Sequence, residues 1–565
     1  MIRAFLVAAA AILLTGATQS PTVDYRLGFE AQKNAPALAT VELRFRGDAD
    51  GETTLRLPDS FAGTEGAWRN LSDLKIKGAT VTGDGATRVL RHRPGAGITV
   101  TYRVRTAYAE DPKGADGNPY KGPILRPDWA GLLGEFVFAA PAGRETQAAT
   151  FQWSKLPKGW RAASDLDHAR SRWTTVADVM ESFTLAGSRL AVTERGIQGG
   201  TLRVAMIGDT GLAALADAVA PTVTAERRFW NDLQEPYFVA YMPLQAKARG
   251  YSVGGTGRSD GFVLYSTPGR DEQLKAIIAH EHTHTWIPNR IGRMPPEAEE
   301  PSVYWLSEGF TDFMTIRTRL AGGLITPQAA AEALDGVLGA YEASPVRTAP
   351  VARILADVWK DQNIQQLSYQ RGALLALKWD EDIRLKTAGK ADLNTVLRQM
   401  RDHYQKFPAG QGPDVVTGLI SAAWVVARLD LRPDIDRYAV KGALVPLPEN
   451  LVDGCLYIRT NRIPTFDAGF DVAASTAAKA MKGVRSRGPA WMSGLREGMK
   501  LDVARVKPGD TQVQVEVNVR DGRGRTRKVV YWPYGDDVIA THDLLLKPGM
   551  TAAETAACGA KIAGL

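Results

Sequence analysis

The residues of this sequence best suited to chemistry form the pentad H-E-x-x-H, from His280 to His284. On an α-helix these two histidines are four residues apart and share one face. Their imidazoles could there bind one zinc ion, with Glu281 beside it as general base. On a β-strand, by contrast, His282 would share a face with both of them. The preceding run, 271–279, favours the helix because acids occupy its first turn and apolar residues recur at helical spacing. His282 is then predicted to point away from the metal face and to be a packing or surface residue.

A second segment, Trp305 to Phe313, also has a helical pattern and offers a third ligand. Glu308 could complete a His2Glu site that leaves the fourth position for water. Asp312 lies one turn later on the same face, where its carboxylate could accept the second N–H of a ligand histidine. Glu308 is favoured as third ligand because it stands on a helix with Asp312 behind it. The acidic, proline-rich loop between the two segments holds three rival ligands, namely Glu297, Glu299 and Glu300.

The order of these motifs and of those that follow resembles a known family. H-E-x-x-H followed by E-x-x-x-D resembles the gluzincins, the thermolysin-like zinc metallopeptidases. Four further motifs occur in order, namely Trp286, W-x-x-E-G-F-T at 305–311, Y-x-[KR]-G at 369–372 and D-x-x-I-R at 380–384. Together they resemble the glycyl aminopeptidase family of gluzincins, the one with an appended PDZ domain. The resemblance covers roughly residues 200 to 450.

This resemblance implies a zinc-dependent hydrolysis of peptide bonds in a peptide or protein substrate. It implies one zinc ion per chain, with Glu281 taking a proton from the water and passing it to the leaving amine. The family's tyrosine before x-[KR]-G corresponds to Tyr369, whose phenol could donate a hydrogen bond to the developing oxyanion.

The sequence departs from the family where the substrate's amino terminus is expected to bind. The family carries G-G-L-E-H, and its glutamate pairs with the free amine. Gly257 stands here in place of that glutamate, and Arg258 in place of the histidine, so the enzyme is predicted to accept blocked amino termini and to act more as an endopeptidase. The loop glutamates remain possible substitutes. The predicted substrate-binding residues are Gly254, Gly255, Thr256, Gly257 and Arg258.

An alternative from another class remains open. The chain could be a catalytically silent, zinc-stabilised peptide-binding protein that acts through its C-terminal region. The intact Glu281 and Tyr369 favour the enzyme. Another zinc hydrolase on the same scaffold, such as an epoxide hydrolase, is a second alternative that no feature of the sequence requires.

Length and composition indicate a globular protein of several domains. The chain has 565 residues, of which 44% are hydrophobic and 23% charged, and a domain usually takes roughly 100–200 residues. The net charge of +7 is modest, and Lys and Arg are scattered, so no nucleic-acid partner is expected. No internal apolar stretch is long enough to predict a membrane span.

The first twenty residues are predicted to be a secretory signal peptide. Arg3 provides a positive start, an apolar run from Ala4 to Leu14 follows, and small residues come next. The mature protein is therefore expected to be exported, to the periplasm or the exterior.

The rest of the chain is predicted to have a multidomain α+β fold. Residues 21–198 alternate apolar and polar residues and indicate an N-terminal β domain. Residues 199–450 are assigned to a thermolysin-like catalytic domain with a mixed sheet and a helical half. Residues 451–565 resemble a bacterial PDZ domain with a C-terminal tail, because Gly494 to Met499 approximates G-L-x-x-G-D with methionine in the last position. PDZ domains bind extended peptides by strand addition, so a peptide ligand is possible.

The two cysteines of the chain, Cys455 and Cys558, both fall in this last region. In an oxidising compartment a single disulfide between them is the leading interpretation, and two buried free thiols are the alternative.

Overall fold

The computed structural model describes residues 22–61, 63–110, 122–168, 174–232, 237–243, 253–257, 261–267, 271–408, 411–520 and 524–565. The predicted signal peptide lies outside these residues. The described residues form a mixed α+β structure that divides into two compact units. The first unit takes in the described residues up to Ala220 and those between 234 and Leu274, and the second takes in the rest.

The first unit is built mainly of strands. The elements are β1 Val23–Gln32, β2 Ala35–Arg46, β3 Glu52–Arg56, β4 Leu71–Lys77, β5 Thr80–Thr82, β6 Thr87–Arg91, β7 Gly97–Val104, β8 Ile124–Leu125, β9 Trp129–Leu133, β10 Ala140–Pro141, β11 Ala149–Trp153, β12 Arg161–Ser164, α1 Val176–Met180 and β13 Phe183–Gly187. The first three sheets have the strand orders β11-β1-β2-β7-β4, β10-β3-β6-β5 and β12-β13-β9-β8.

Strict alternation of residue types explains the pairing of the central strands. β2 buries Val41, Leu43 and Phe45 on one face and turns the intervening polar residues outward. In the antiparallel register Leu43 lies opposite Val100 and Phe45 opposite Ile98, so both strands contribute apolar side chains to the same core.

A fourth, mixed sheet completes the first unit. Its strand order is β14-β15-β16-β18-β17, with β15, β16 and β18 parallel and the two outer strands antiparallel to their neighbours. Because β14 pairs along its length with β15, this sheet starts before the predicted domain boundary at residue 199. The elements are β14 Leu190–Ile197, β15 Gly200–Ile207, α2 Leu212–Trp230, β16 Tyr237–Pro243, β17 Val253–Gly257 and β18 Gly261–Ser266.

The second unit is mainly helical around one large apolar core. It begins with the end of α2, from Pro221, and resumes within the next helix at Lys275. Its helices up to residue 440 are α3 Asp271–Thr283, α4 Tyr304–Ser307, α5 Gly309–Ala321, α6 Pro327–Ala343, α7 Val351–Asp357, α8 Gln362–Thr387, α9 Leu393–Tyr404, α10 Val415–Ala427 and α11 Arg432–Asp434, the last continued by a π-helical turn, Ile435–Val440.

The region after residue 450, predicted to be a PDZ-like domain with a C-terminal tail, contributes to two separate cores. Strands β21-β22-β23 and the short helices α12 and α13 surround a small core of their own, which includes Leu495, Val517 and Tyr531. The flanking segments instead add Leu456 and Ile562 to the large helical core. The elements are β19 Asn450–Leu451, β20 Leu456–Phe466, α12 Val472–Ala478, α13 Pro489–Met492, β21 Lys500–Arg505, β22 Val515–Arg520, β23 Thr526–Tyr531, β24 Tyr534–Leu546 and α14 Ala552–Ala563.

The two cysteines lie in the large core, with a sulfur–sulfur distance of 2.01 Å between Cys455 and Cys558. The disulfide thus attaches α14 to the start of β20. Within the described residues, no helix combines the length and the apolar character that a membrane crossing needs.

Candidate metal centre

The first two candidate ligands stand at the end of α3, as helical spacing predicts. α3 ends at Thr283, and His284 follows in a continuing turn. The rings of His280 and His284 are 4.8 Å apart, centroid to centroid, and both side chains are buried. The helix interpretation of H-E-x-x-H is therefore correct.

Glu308 brings a carboxylate to the same point. It lies at the junction of α4 and α5, and its Oε2 is 3.3 Å from Nε2 of His280 and 3.5 Å from Nε2 of His284. Ligand atoms around a tetrahedral zinc with bonds of about 2.0–2.1 Å are separated by about 3.3–3.4 Å. The donor set and its spacing therefore fit zinc.

The three loop glutamates do not join this group. Among the described residues, His280, His284 and Glu308 form the set whose ligand atoms all lie within 4.8 Å of one another. Glu297 and Glu299 are exposed on the loop before α4.

Both imidazoles are held from behind by groups that can only accept a hydrogen bond. Nδ1 of His280 lies 2.8 Å from Oδ1 of Asp312, and Nδ1 of His284 lies 2.8 Å from the carbonyl oxygen of Ile287. A carboxylate and a carbonyl both require a donor, so each Nδ1 carries the proton. The Nε2 atoms are thereby directed at Glu308 and are suited to bind a cation. Asp312 thus has the position predicted for it, whereas the role of the Ile287 carbonyl has no signal in the sequence.

The charges of the cluster favour a cation between the imidazoles. Burial alone would lower the pKa of His280, but hydrogen bonds with Asp312 and Glu308 outweigh burial and raise this pKa well above its usual value. Burial alone would raise the pKa of Glu308, but the neighbouring His284 and His280 outweigh it and lower this pKa. The carboxylates therefore stabilise positive charge at the point where the three ligands meet.

Tyr369 belongs to the same cluster. Its ring stacks on that of His280 with centroids 5.9 Å apart. Burial is the largest influence raising the pKa of its hydroxyl well above the usual value, followed by the charges of Glu308, Asp312 and Glu281. The phenol therefore keeps its proton and is available as a hydrogen-bond donor. Glu281, the predicted base, is buried with 5% exposure.

Two glycines explain why Glu308 and Tyr369 come together. Gly309 follows Glu308 directly, and Gly372 stands one turn after Tyr369 on α8. A Cβ atom at Gly309 would lie 2.3 Å from Cα of Gly372, and one at Gly372 would lie 1.8 Å from the carbonyl oxygen of Trp305. The two helices are therefore in direct backbone contact, which only glycine permits. These are the glycines of the W-x-x-E-G-F-T and Y-x-[KR]-G motifs, but their contact is not evident from the sequence.

His282 points away from the metal face, as predicted, and is completely buried. Its Nδ1 lies 2.6 Å from Oε2 of Glu226 on α2, and its ring packs edge-on against Trp286. It is thus a packing residue with a polar partner.

The predicted substrate-binding residues lie on an edge strand of the first unit. Residues Gly254 to Gly257 form most of β17, where Gly254 pairs with Tyr265 and Gly257 with Phe262 of β18. Arg258 lies outside the described residues. Their role in binding substrate stays a prediction.

The match to one family model agrees with the motifs. Residues 273–375 match the family model of the M61 glycyl aminopeptidases. The chain is similar to an aminopeptidase N family protein from Idiomarina loihiensis, with 15% identity, a TM-score of 0.63 and coverage of 96% of this chain and 99% of that one. This likeness establishes a shared fold. An M1 zinc metallopeptidase from Deinococcus radiodurans matches at 16% identity and a TM-score of 0.48, over 76% of this chain and 97% of that one. The comparison with curated proteins gave no match.

The segment matched by the family model contains His280, Glu281, His284, Glu308, Asp312 and Tyr369. The resemblance to the glycyl aminopeptidases is therefore confirmed over residues 273–375.

Proposed function

We propose that this protein is a zinc-dependent peptidase. The observation that carries the proposal is the convergence of two Nε2 atoms and one carboxylate oxygen, 3.3 and 3.5 Å apart, with both Nδ1 atoms engaged behind them. The family match over the same residues supports a peptidase. A zinc ion held by His280, His284 and Glu308 would polarise the substrate carbonyl and lower the pKa of a bound water.

The surrounding side chains supply the remaining functions of peptide hydrolysis. Glu281 accepts the proton of the attacking water and returns it to the departing amine, the usual task of the glutamate in this motif. Tyr369 retains its proton and donates a hydrogen bond to the oxygen that gains negative charge. Asp312 fixes the orientation and tautomer of His280, so that the imidazole presents the correct nitrogen.

The proposal is tested by peptide turnover measured with and without a chelator and after zinc is restored. We expect turnover to disappear with the chelator and to return with zinc. Glu281→Gln should keep its zinc and lose turnover, because the amide binds no proton from water. A wild-type protein with bound zinc and no turnover of any peptide in a broad mixture would favour the silent peptide-binding alternative.

We further propose an endopeptidase-like preference. Gly257 occupies the position where the family places the glutamate that pairs with the substrate's amine, and glycine offers no charge to an ammonium group. One peptide series with free and with acetylated amino termini tests this point. Equal or better cleavage of the acetylated series is expected, whereas stepwise release of single residues from free amino termini would contradict it.

Export of the mature protein and peptide binding by the region around β21 to β23 also remain proposals. The apolar run at the N-terminus supports export. Expression of the whole gene, followed by a search for the protein in the periplasmic and culture fractions, would test it. The resemblance of Gly494 to Met499 to a PDZ motif supports peptide binding, and titration with a library of extended peptides would test it.

A further inference from the structure

A buried carboxylate behind the candidate centre joins three helices. Glu226 stands in the last part of α2, and its side chain has no exposed surface. Its segment, Pro221–Leu233, belongs to the same compact unit as the three ligands. Burying a carboxylate costs free energy unless several donors surround it. The contacts of Glu226 therefore indicate its structural role.

The contacts of Glu226 reach both ligand-bearing helices. Oε2 lies 2.6 Å from Nδ1 of His282 on α3, and Oε1 accepts a hydrogen bond from the hydroxyl of Thr283 at 3.4 Å. Oε1 also accepts a hydrogen bond from the hydroxyl of Thr318 on α5 at 3.2 Å. All three of these partners have no exposed surface. One carboxylate therefore links the helix of His280 and His284 to the helix that follows Glu308.

Aromatic packing next to Glu226 holds the same side of the metal helix. The rings of Trp230 and Trp286 stack with centroids 5.4 Å apart, and the indole N–H of Trp286 donates to Asp232 at 2.8 Å. His282 also packs edge-on against Trp286. Aromatic packing tolerates small rotations, whereas hydrogen bonds are directional. The hydrogen bonds of Glu226 therefore constrain α3 together with the bond between His280 and Asp312.

We propose that Glu226 is a positioning residue for the metal centre. It contacts no ligand atom, but it fixes the rotation of α3 against α5, and this rotation decides whether the two Nε2 atoms meet Glu308. A shift of the carboxylate would take this partner from Nδ1 of His282 and would reduce the two hydroxyls to their contacts with Thr315, and the helix would turn to recover the lost bonds. This inference rests on the proposed zinc function.

The test compares two substitutions at Glu226 that separate the length of the side chain from its carboxyl group. Glu226→Asp keeps the carboxyl group and shortens the side chain by one methylene group. Glu226→Gln keeps the length, and its amide can turn either its oxygen or its nitrogen toward His282, because the threonine hydroxyls both donate and accept. The matched control is Glu381→Asp on α8, a buried glutamate that accepts the backbone N–H of Val452 at 2.7 Å.

The measured quantities are the zinc dissociation constant, by competition with a chromophoric chelator, and the apparent melting temperature. We expect Glu226→Asp to weaken zinc binding by about 10- to 100-fold, the usual effect of losing a residue that orients a ligand. Glu226→Gln should stay within about threefold of the wild type by the same reasoning. Glu381→Asp should lower the melting temperature and leave zinc affinity unchanged.

Wild-type zinc affinity in Glu226→Asp, with only a lower melting temperature, would reduce Glu226 to a structural role and overturn the inference. An equal loss of zinc affinity in Glu381→Asp would overturn it as well. The wild-type protein tests the proposed function separately. If that function is wrong, the wild type binds no zinc, or its bound zinc supports no peptide turnover.

Discussion

Replacing Gly372 by alanine is expected to disturb the candidate centre without altering any of its ligands. The added Cβ would lie 1.8 Å from the carbonyl oxygen of Trp305 and 2.8 Å from Cα of Gly309. Both neighbours are backbone atoms, so no side-chain rotation relieves the clash. Ordinary contact begins at 3.4 Å, and the helices must therefore separate by 3.4 Å minus 1.8 Å, or 1.6 Å.

This separation of the helices is expected to lower both the free energy of unfolding and the rate of peptide turnover. Overfilling a packed interior costs about 1–3 kcal/mol, and the upper end applies here because the obstacle is backbone. The same movement carries Glu308 away from Tyr369, and a misplacement of about 1 Å lowers turnover by about 100-fold. We therefore expect a lower apparent melting temperature and a fall in kcat/KM of at least about two orders of magnitude.

The matched control is Gly336→Ala in the middle of α6, where no atom beyond the backbone of its own helix and its chain neighbours lies within 4 Å of the added Cβ. Alanine favours a helix over glycine by about 0.5–1 kcal/mol, so this variant should melt at the same or a higher temperature and keep full activity. Melting is followed by circular dichroism, and turnover is measured well below both transitions. Wild-type kcat/KM in Gly372→Ala would refute the account of how Glu308 and Tyr369 are held together.

Three further changes test other parts of the structure. Tyr369→Phe removes one donor and should lower kcat by about 10²–10³-fold with little change in KM, and an unchanged kcat measured under saturating peptide would assign Tyr369 to packing. Asp312→Ala releases Nδ1 of His280 and should weaken zinc binding by about 10- to 100-fold in a chelator competition, whereas unaltered affinity would show that Asp312 is dispensable. Cys455 and Cys558 are 103 residues apart in sequence, so the chain-entropy model assigns their bond about 4–5 kcal/mol. Unfolded, unreduced protein should show no titratable thiol and reduction should lower the melting temperature, while two free thiols would contradict the bond.

The two histidine ligands could be predicted from the sequence because their information is local, whereas Glu308 stands on a separate helical segment and is favoured because Asp312 lies one turn behind it. His280 and His284 share a face wherever their segment is helical, and the run before them follows helical spacing. The same periodicity, counted from Glu308, predicts Asp312 behind the ligands. Such one-turn relations depend on a single helix and need no knowledge of the tertiary fold.

Features that depend on packing between distant segments could not be predicted. The carbonyl of Ile287 carries no side-chain signature, and Glu226 is one of many glutamates in helical patterns. The contact between Gly309 and Gly372 joins residues 63 positions apart (372 minus 309), although each glycine stands in a recognised motif. Hydrophobic patterning also could not reveal that the last 115 residues (451–565) divide between two cores, because both kinds of core use the same apolar residues.

The central claim is that His280, His284 and Glu308 hold one zinc ion, and metal content measures it most directly. Zinc per chain would be determined by mass spectrometry on the purified wild type, on Glu308→Ala and on Glu299→Ala, whose glutamate is exposed on the neighbouring loop. The account predicts about one zinc in the wild type and in Glu299→Ala, as three convergent ligands imply, and loss of zinc in Glu308→Ala. Full zinc in Glu308→Ala together with loss in Glu299→Ala would contradict it.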